Sequence, residues 1–176
     1  TPHVMLNMLP PADTPGIKAS YCEGGKEMTV FDAYEKYLEA YKTYFVDVAG
    51  LDYFQYDDYP IYNNGLRDTY LRGLQLISQF CEDNNLWGCL AMQSYGSDGT
   101  HRKNEPEDVL WQAHLGAAFG NQEFSYYTYW PVLNTTDGLL EDRTYPLTRI
   151  GERTSVWYAI QEANFMLQYF GKYVIN

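Results

Sequence analysis

Two adjacent carboxylates and a run of phenols stand together in "LDYFQYDDYPIY", residues 51–62. Asp57, Asp58 and Tyr59 in that stretch can exchange hydrogen bonds with hydroxyl groups, and a carboxylate can also take or give a proton. Other positions suit the same chemistry. Asn7 and Gln93 carry amides, which hydrogen-bond neighbouring hydroxyls in pairs, and Tyr95 follows two residues after Gln93. Trp130 offers a flat indole of the kind that stacks on the C–H face of a sugar ring. Each has a plainer reading too: an Asp before "DYP" suits a turn, Gln93 suits a buried amide bonded to backbone, and Trp130 before Pro131 suits a core.

The elements that must position these residues alternate along the chain. Short apolar runs at 3–9, 52–56, 87–92 and 123–130 predict strands. Between and after them, three- and four-residue apolar spacing predicts helices. The first opens at Thr29, with Asp32 completing a capping box, and carries Tyr34, Tyr37, Leu38, Tyr41, Tyr44 and Phe45 on one face before Gly50 ends it. The second runs over 66–83 with Leu71, Leu74, Ile77, Ser78 and Cys81 inward. The third starts from Asn104 as cap, with Pro106 in its first turn, and closes at Gly120. The last covers 152–170, with Val156, Ile160, Ala163, Phe165, Met166 and Tyr169 inward.

Crossovers of this length predict parallel strands. The last two strand-to-strand steps are each about 36 residues, the length of one βα unit of a (β/α)8 barrel. The expected fold is therefore α/β, a single (β/α)4 unit over residues 1–176 that forms half of a TIM barrel. A small doubly wound sheet is the competing architecture, but no "GxGxxG" or P-loop follows any strand, and no cofactor is expected. Barrel chemistry sits at the carboxyl ends of the strands. Alternation then predicts a top ring of Asn7, Asp57, Gln93 and Trp130, with Tyr126 and Thr128 below Trp130, and Tyr56, Asp58 and Tyr59 framing the mouth.

Composition narrows the partners. The 176 residues carry a net charge of −11, which repels phosphate backbones and anionic lipid, so nucleic acid is a poor partner. No run reaches the ~20 apolar residues of a membrane span. His101 and His114 lack metal-ligand spacing, and no metal is expected. Cys22, Cys81 and Cys89 are expected as free thiols, two of them in the core, although "FCEDNNLWGC" leaves a disulfide open. "NTT" at Asn134 fits a glycosylation sequon. Localisation stays open between a secreted or periplasmic precursor and the cytoplasm. The absence of an initiator Met leads to the expectation of a processed, trimmed or excised piece.

Three stretches together bear a family likeness. "GLDYFQYDDYPIYNNG" resembles the sixth-strand region of barrel glycoside hydrolases, broadly the β-galactosidase-like relatives. "EPEDVLWQAHLGAAFGNQEFSYYTYWP" is similar to their stretch from the seventh strand to the end of the eighth, and "HVMLNMLPP" to their fifth strand. The resemblance is collinear, spans nearly the whole chain, and implies strands five to eight of a barrel acting on glycosides or oligosaccharides. It implies Asp57 as the candidate catalytic carboxylate and Asn7, Asp58, Tyr59, Gln93, Tyr95 and Trp130 as substrate-binding residues.

One departure matters. Glycosidases need two carboxyl groups, about 5 Å apart in retaining enzymes and wider in inverting ones. In the large clan of barrel glycosidases the nucleophilic glutamate ends strand seven, where this chain has Gln93, and the acid/base follows strand four, which is absent. Asp57 with a partner from the missing half or with Asp98, or Asp98 and His101 themselves, would supply the chemistry; otherwise the chain binds glycans without cleaving them. A half-barrel also leaves two strand edges open. The expected partners are a carbohydrate, together with either the missing N-terminal half-barrel or a second copy.

Overall fold

A computed structural model describes residues 6–11, 28–96, 99–131 and 145–174. Cys22, Asp98, Asn134 and the first-strand positions His3 and Met5 lie outside the described residues. In chain order the elements are β1 (Asn7–Met8), α1 (Val30–Tyr41), β2 (Tyr53–Asp58), β3 (Ile61–Tyr62), β4 (Gly65–Leu66), α2 (Tyr70–Asn84), β5 (Trp87–Gln93), α3 (Pro106–Ala118), β6 (Asn121–Tyr127) and α4 (Ser155–Val174). Strands β1, β2, β5 and β6 form one parallel sheet in that order, and β3 with β4 forms a small antiparallel hairpin. The α/β class and the four-strand parallel sheet agree with expectation.

Alternation separates two faces of the sheet. Phe54, Tyr56, Leu90 and Met92 are buried under residues of all four helices, including Tyr34, Leu38, Leu74, Ile77, Ala113 and Ala163, with Phe124 and Tyr126 packed alongside. The opposite face carries Gln55, Asp57, Cys89, Ala91, Glu123, Ser125 and Tyr127, and its buried Cys89 and Ala91 stand outside the helix-packed cluster. A β-bulge between Gly88 and Cys89 sets the parity of β6: Asn121 pairs with Gly88, and Glu123 with Cys89. Phe124 and Tyr126 therefore point to the helices, and Tyr127 points away from them. This corrects the expectation that Tyr126 faces the open side.

The bulge has a buried anchor. The Tyr56 hydroxyl donates to Asn121 Oδ1 at 3.1 Å, and Asn121 Nδ2 donates to the Gly116 carbonyl at 3.0 Å. Gly116 is required there, because a Cβ would stand 2.6 Å from Phe124 Cε1. Tyr56→Phe leaves the Asn121 acceptor buried without its donor. It is expected to cost about 1–3 kcal/mol of unfolding free energy in urea titrations.

The helices differ from the sequence reading where local geometry changes. Thr29 Oγ1 accepts from the Asp32 amide at 3.1 Å, and Asp32 Oδ2 accepts from the Thr29 amide at 3.1 Å, which completes the expected capping box. Past Tyr41 the helix widens into a π-helical segment, Lys42–Val48, whose bonding pattern turns each residue through less than the α-helical angle. The inward stripe therefore drifts outward, and Tyr44 is exposed. At α3 the cap is Glu105, not Asn104, whose side chain reaches back to the sheet. Leu71, Phe165 and Tyr169, expected inward, are exposed, because the stripe of α2 runs through Tyr70, Leu74, Ile77 and Cys81 and that of α4 through Val156, Ala159, Ile160 and Ala163.

Cys81 and Cys89 are both free and buried. Burial pushes the Cys81 thiol up to about 12; burial first, then the charge of Glu123, does the same to Cys89. The thiolate is the reactive form. Iodoacetamide at about pH 8 is therefore expected to leave both unmodified in the native chain and to label both after unfolding, read by mass spectrometry.

Candidate functional site

The open face is built in rows, because registered partners in a parallel sheet stand at one height. Asn7, Gln55, Cys89 and Glu123 make one row, Asp57, Ala91 and Ser125 the next, and Gln93 and Tyr127 the one at the carboxyl edge. Asn7 Nδ2 reaches up one row and donates to Asp57 Oδ1 at 2.9 Å. The Tyr59 hydroxyl also hydrogen-bonds Asp57; burial first, and then the charge of Asp57, raise that phenol above the ordinary tyrosine range. Asp57 is thus half-buried and held by two neutral donors. Gln55 Oε1 in the row below is buried, with no hydrogen-bond partner among the described residues.

Rings crowd beside this carboxylate. Tyr59 stacks on Tyr127, with centroids 5.5 Å apart and planes 21° apart, and Tyr95 stands nearly perpendicular to both. The Tyr95 hydroxyl lies 3.3 Å from His101 Nδ1, and His101 packs on Tyr62. An isolated bridge between Tyr62 and His101 ties the hairpin to the loop after β5. Tyr127, 48% exposed, presents its ring to solvent from this assembly.

The expected residues divide into two groups. Asn7, Asp57, Tyr59 and Tyr95 come together at the carboxyl edge. Asp58, expected at the mouth, sits on the helix side of β2, 1% exposed and in an ion pair with Arg67. Tyr56 is likewise buried in the core. Gln93 is fully buried even though its row lies on the open face, because the hairpin folds over it. Its Oε1 accepts from the Ile61 amide at 2.9 Å, and its Nε2 donates to the carbonyls of Ile61 at 3.2 Å and Tyr95 at 3.1 Å. Both ends of the amide serve the backbone, as in its plainer reading. Trp130 lies three residues past the end of β6, with Cη2 4.0 Å from the place of a Cβ on Gly151.

Gln93 also anchors a polar knot at the end of β5. Its amide N–H donates to Gln112 Oε1 at 2.9 Å, and its carbonyl accepts from Asn104 Nδ2 at 2.7 Å and Gln112 Nε2 at 3.0 Å. Tyr127 is the site residue that sequence reasoning missed. The signal was present, since Glu123 and Ser125 alternate with apolar Phe124 and place Tyr127 with the polar set.

The arrangement can accept a hydrogen bond from a hydroxyl at Asp57 and offer a ring face at Tyr127. Among the described residues no cluster of His, Cys, Asp and Glu is placed to hold a metal, and no helix is long and apolar enough to cross a membrane. Comparison with protein-family models, with curated proteins and with solved structures found no match.

Proposed function

We propose that this chain is the C-terminal half of a glycoside hydrolase-like barrel, with oligosaccharides or glycosides bound at the carboxyl ends of its strands. The observation that carries this reading is Asp57, held by Asn7 and Tyr59 at the carboxyl edge of a parallel sheet, beside the exposed ring of Tyr127. Sheet order supports the barrel part. Strands that follow one another in sequence order, with the helix-packed cluster of the described residues on one face, suit a barrel wall, whereas a doubly wound sheet carries helices on both faces. The open face is then the barrel interior, and the missing half or a second copy closes it.

In this reading Asp57 acts on the sugar directly, Asn7 and Tyr59 fix its carboxylate, and Tyr95 and Tyr127 form the aromatic wall. Trp130 remains in the proposal as a residue of the outer rim. A second reading, glycan binding without hydrolysis, is favoured by one observation: the end of β5 carries an amide whose two ends are both taken by backbone. The test is a panel of aryl glycosides, comparing the chain with Asp57→Asn. A loss of about 100- to 10,000-fold in the variant is expected if Asp57 moves the proton. Undiminished turnover removes it from the chemistry, and saturable binding with no aryl release selects the second reading.

A further inference from the structure

Resting on the reading that this edge holds a glycan, we propose that the site accepts uncharged and amine-bearing sugars and rejects uronates and sulfated sugars. The argument is electrostatic, and it starts from what surrounds Asp57. The two groups that hold its carboxylate, the Asn7 amide and the Tyr59 phenol, are neutral, and neither cancels its charge. Glu123, exposed one row below on the same open face, adds a second carboxylate. The rise of the Tyr59 phenol, owed to burial and then to Asp57, is consistent with a negative field at this place.

Recognition of a sugar carboxylate or sulfate ordinarily uses a guanidinium fork. Arg67, after the hairpin, and Arg102, in the loop after β5, already hold protein carboxylates. Arg67 pairs with buried Asp58, and Arg102 clasps Asp108 through both terminal nitrogens, at 2.7 and 2.6 Å, while also donating to the Lys103 carbonyl. His101 turns Nδ1 to Tyr95. A ligand anion would therefore meet Asp57 and Glu123 in a chain whose net charge is already −11.

The experiment is calorimetric titration with oligosaccharides matched in length and differing only in charge: a neutral hexose oligomer, its uronate and sulfated counterparts, and an amine-bearing one. The neutral and amine-bearing probes are expected to bind about tenfold or more tightly than the anionic ones at low ionic strength. That gap should close near 1 M salt, where the Debye length falls to about 3 Å. Glu123→Gln should narrow it while leaving neutral binding in place. Anionic probes that bind as well as neutral ones overturn the charge selectivity and leave the glycan site standing. So does anion binding that Lys103→Gln abolishes, since Lys103 would then be recruiting the charge. Failure of every probe to bind overturns both the selectivity and the glycan reading.

Discussion

Replacing Arg67 with alanine is expected to lower the unfolding free energy by about 3–5 kcal/mol. Asp58 lies at the end of β2 on the helix side, beside Met92 of β5, and is almost wholly shielded from water. Arg67 arrives from the far end of the β3–β4 hairpin, and its side chain is largely enclosed, 9% exposed. Removing the guanidinium strands a carboxylate in the core, which costs far more than the pair contributes over an apolar substitute. The check is urea denaturation of Arg67→Ala and of the double variant Asp58→Asn, Arg67→Met. The double variant should recover much of the loss, because no buried charge is left behind. A single-variant loss below about 1 kcal/mol, the range of exposed pairs, would mean that water reaches the pair.

Gln93→Glu is expected to destabilise the fold, and to do so in a pH-dependent way. The new group would replace an amide N–H₂ that donates to the Ile61 and Tyr95 carbonyls, so an ionised oxygen would face two carbonyl oxygens in a site sealed from water. Losing those bonds and stranding the charge is expected to cost about 3 kcal/mol or more at neutral pH. Burial and the facing carbonyls raise the folded-state pKa of such a glutamate above its unfolded value of about 4.3. The folded state then binds the proton more tightly. Stability is retained below the unfolded pKa and lost as pH rises through the folded one. Urea midpoints measured from about pH 4 to 8 should therefore diverge from wild type upward in pH; a constant offset would show that the carboxylate finds water or another donor.

Much of the scaffold was legible from apolar spacing. Leu90 and Met92 mark a strand covered by helices, and Thr29 with Asp32 announced a helix start that the hydrogen bonds reproduce. What escaped depended on contacts between distant segments. The hairpin at Ile61–Leu66 was signalled by "NNG" but is too short to register as strand. The face of β6 turned on a single bulge residue, which alternation counted from the wrong end cannot reveal. Asn104 looked like a helix cap because Asn caps helices in general, yet the nearby Gln93 carbonyl needed its donor and Glu105 took over the cap.

At the edge itself, Asp57 with Asn7 followed from alternation alone, since strand parity and parallel pairing place them on one face. Gln93 did not. Its parity is that of Asp57, and only the hairpin folded above it decides that it serves backbone rather than ligand. The tyrosine and histidine rings around Tyr95 were also out of reach, because they meet through loops whose paths no periodicity encodes.

The aspartate doublet divides two kinds of work between chemically identical neighbours. One looks toward the opposite face of the sheet, half-buried and held by Asn7 and Tyr59; the other is locked among helices and holds the Arg67 that follows the hairpin. A scan that alters both at once would merge whatever the first contributes with a folding defect. An insertion of one residue upstream in the strand would exchange their roles, sending the locked partner outward and the half-buried one into the oily layer.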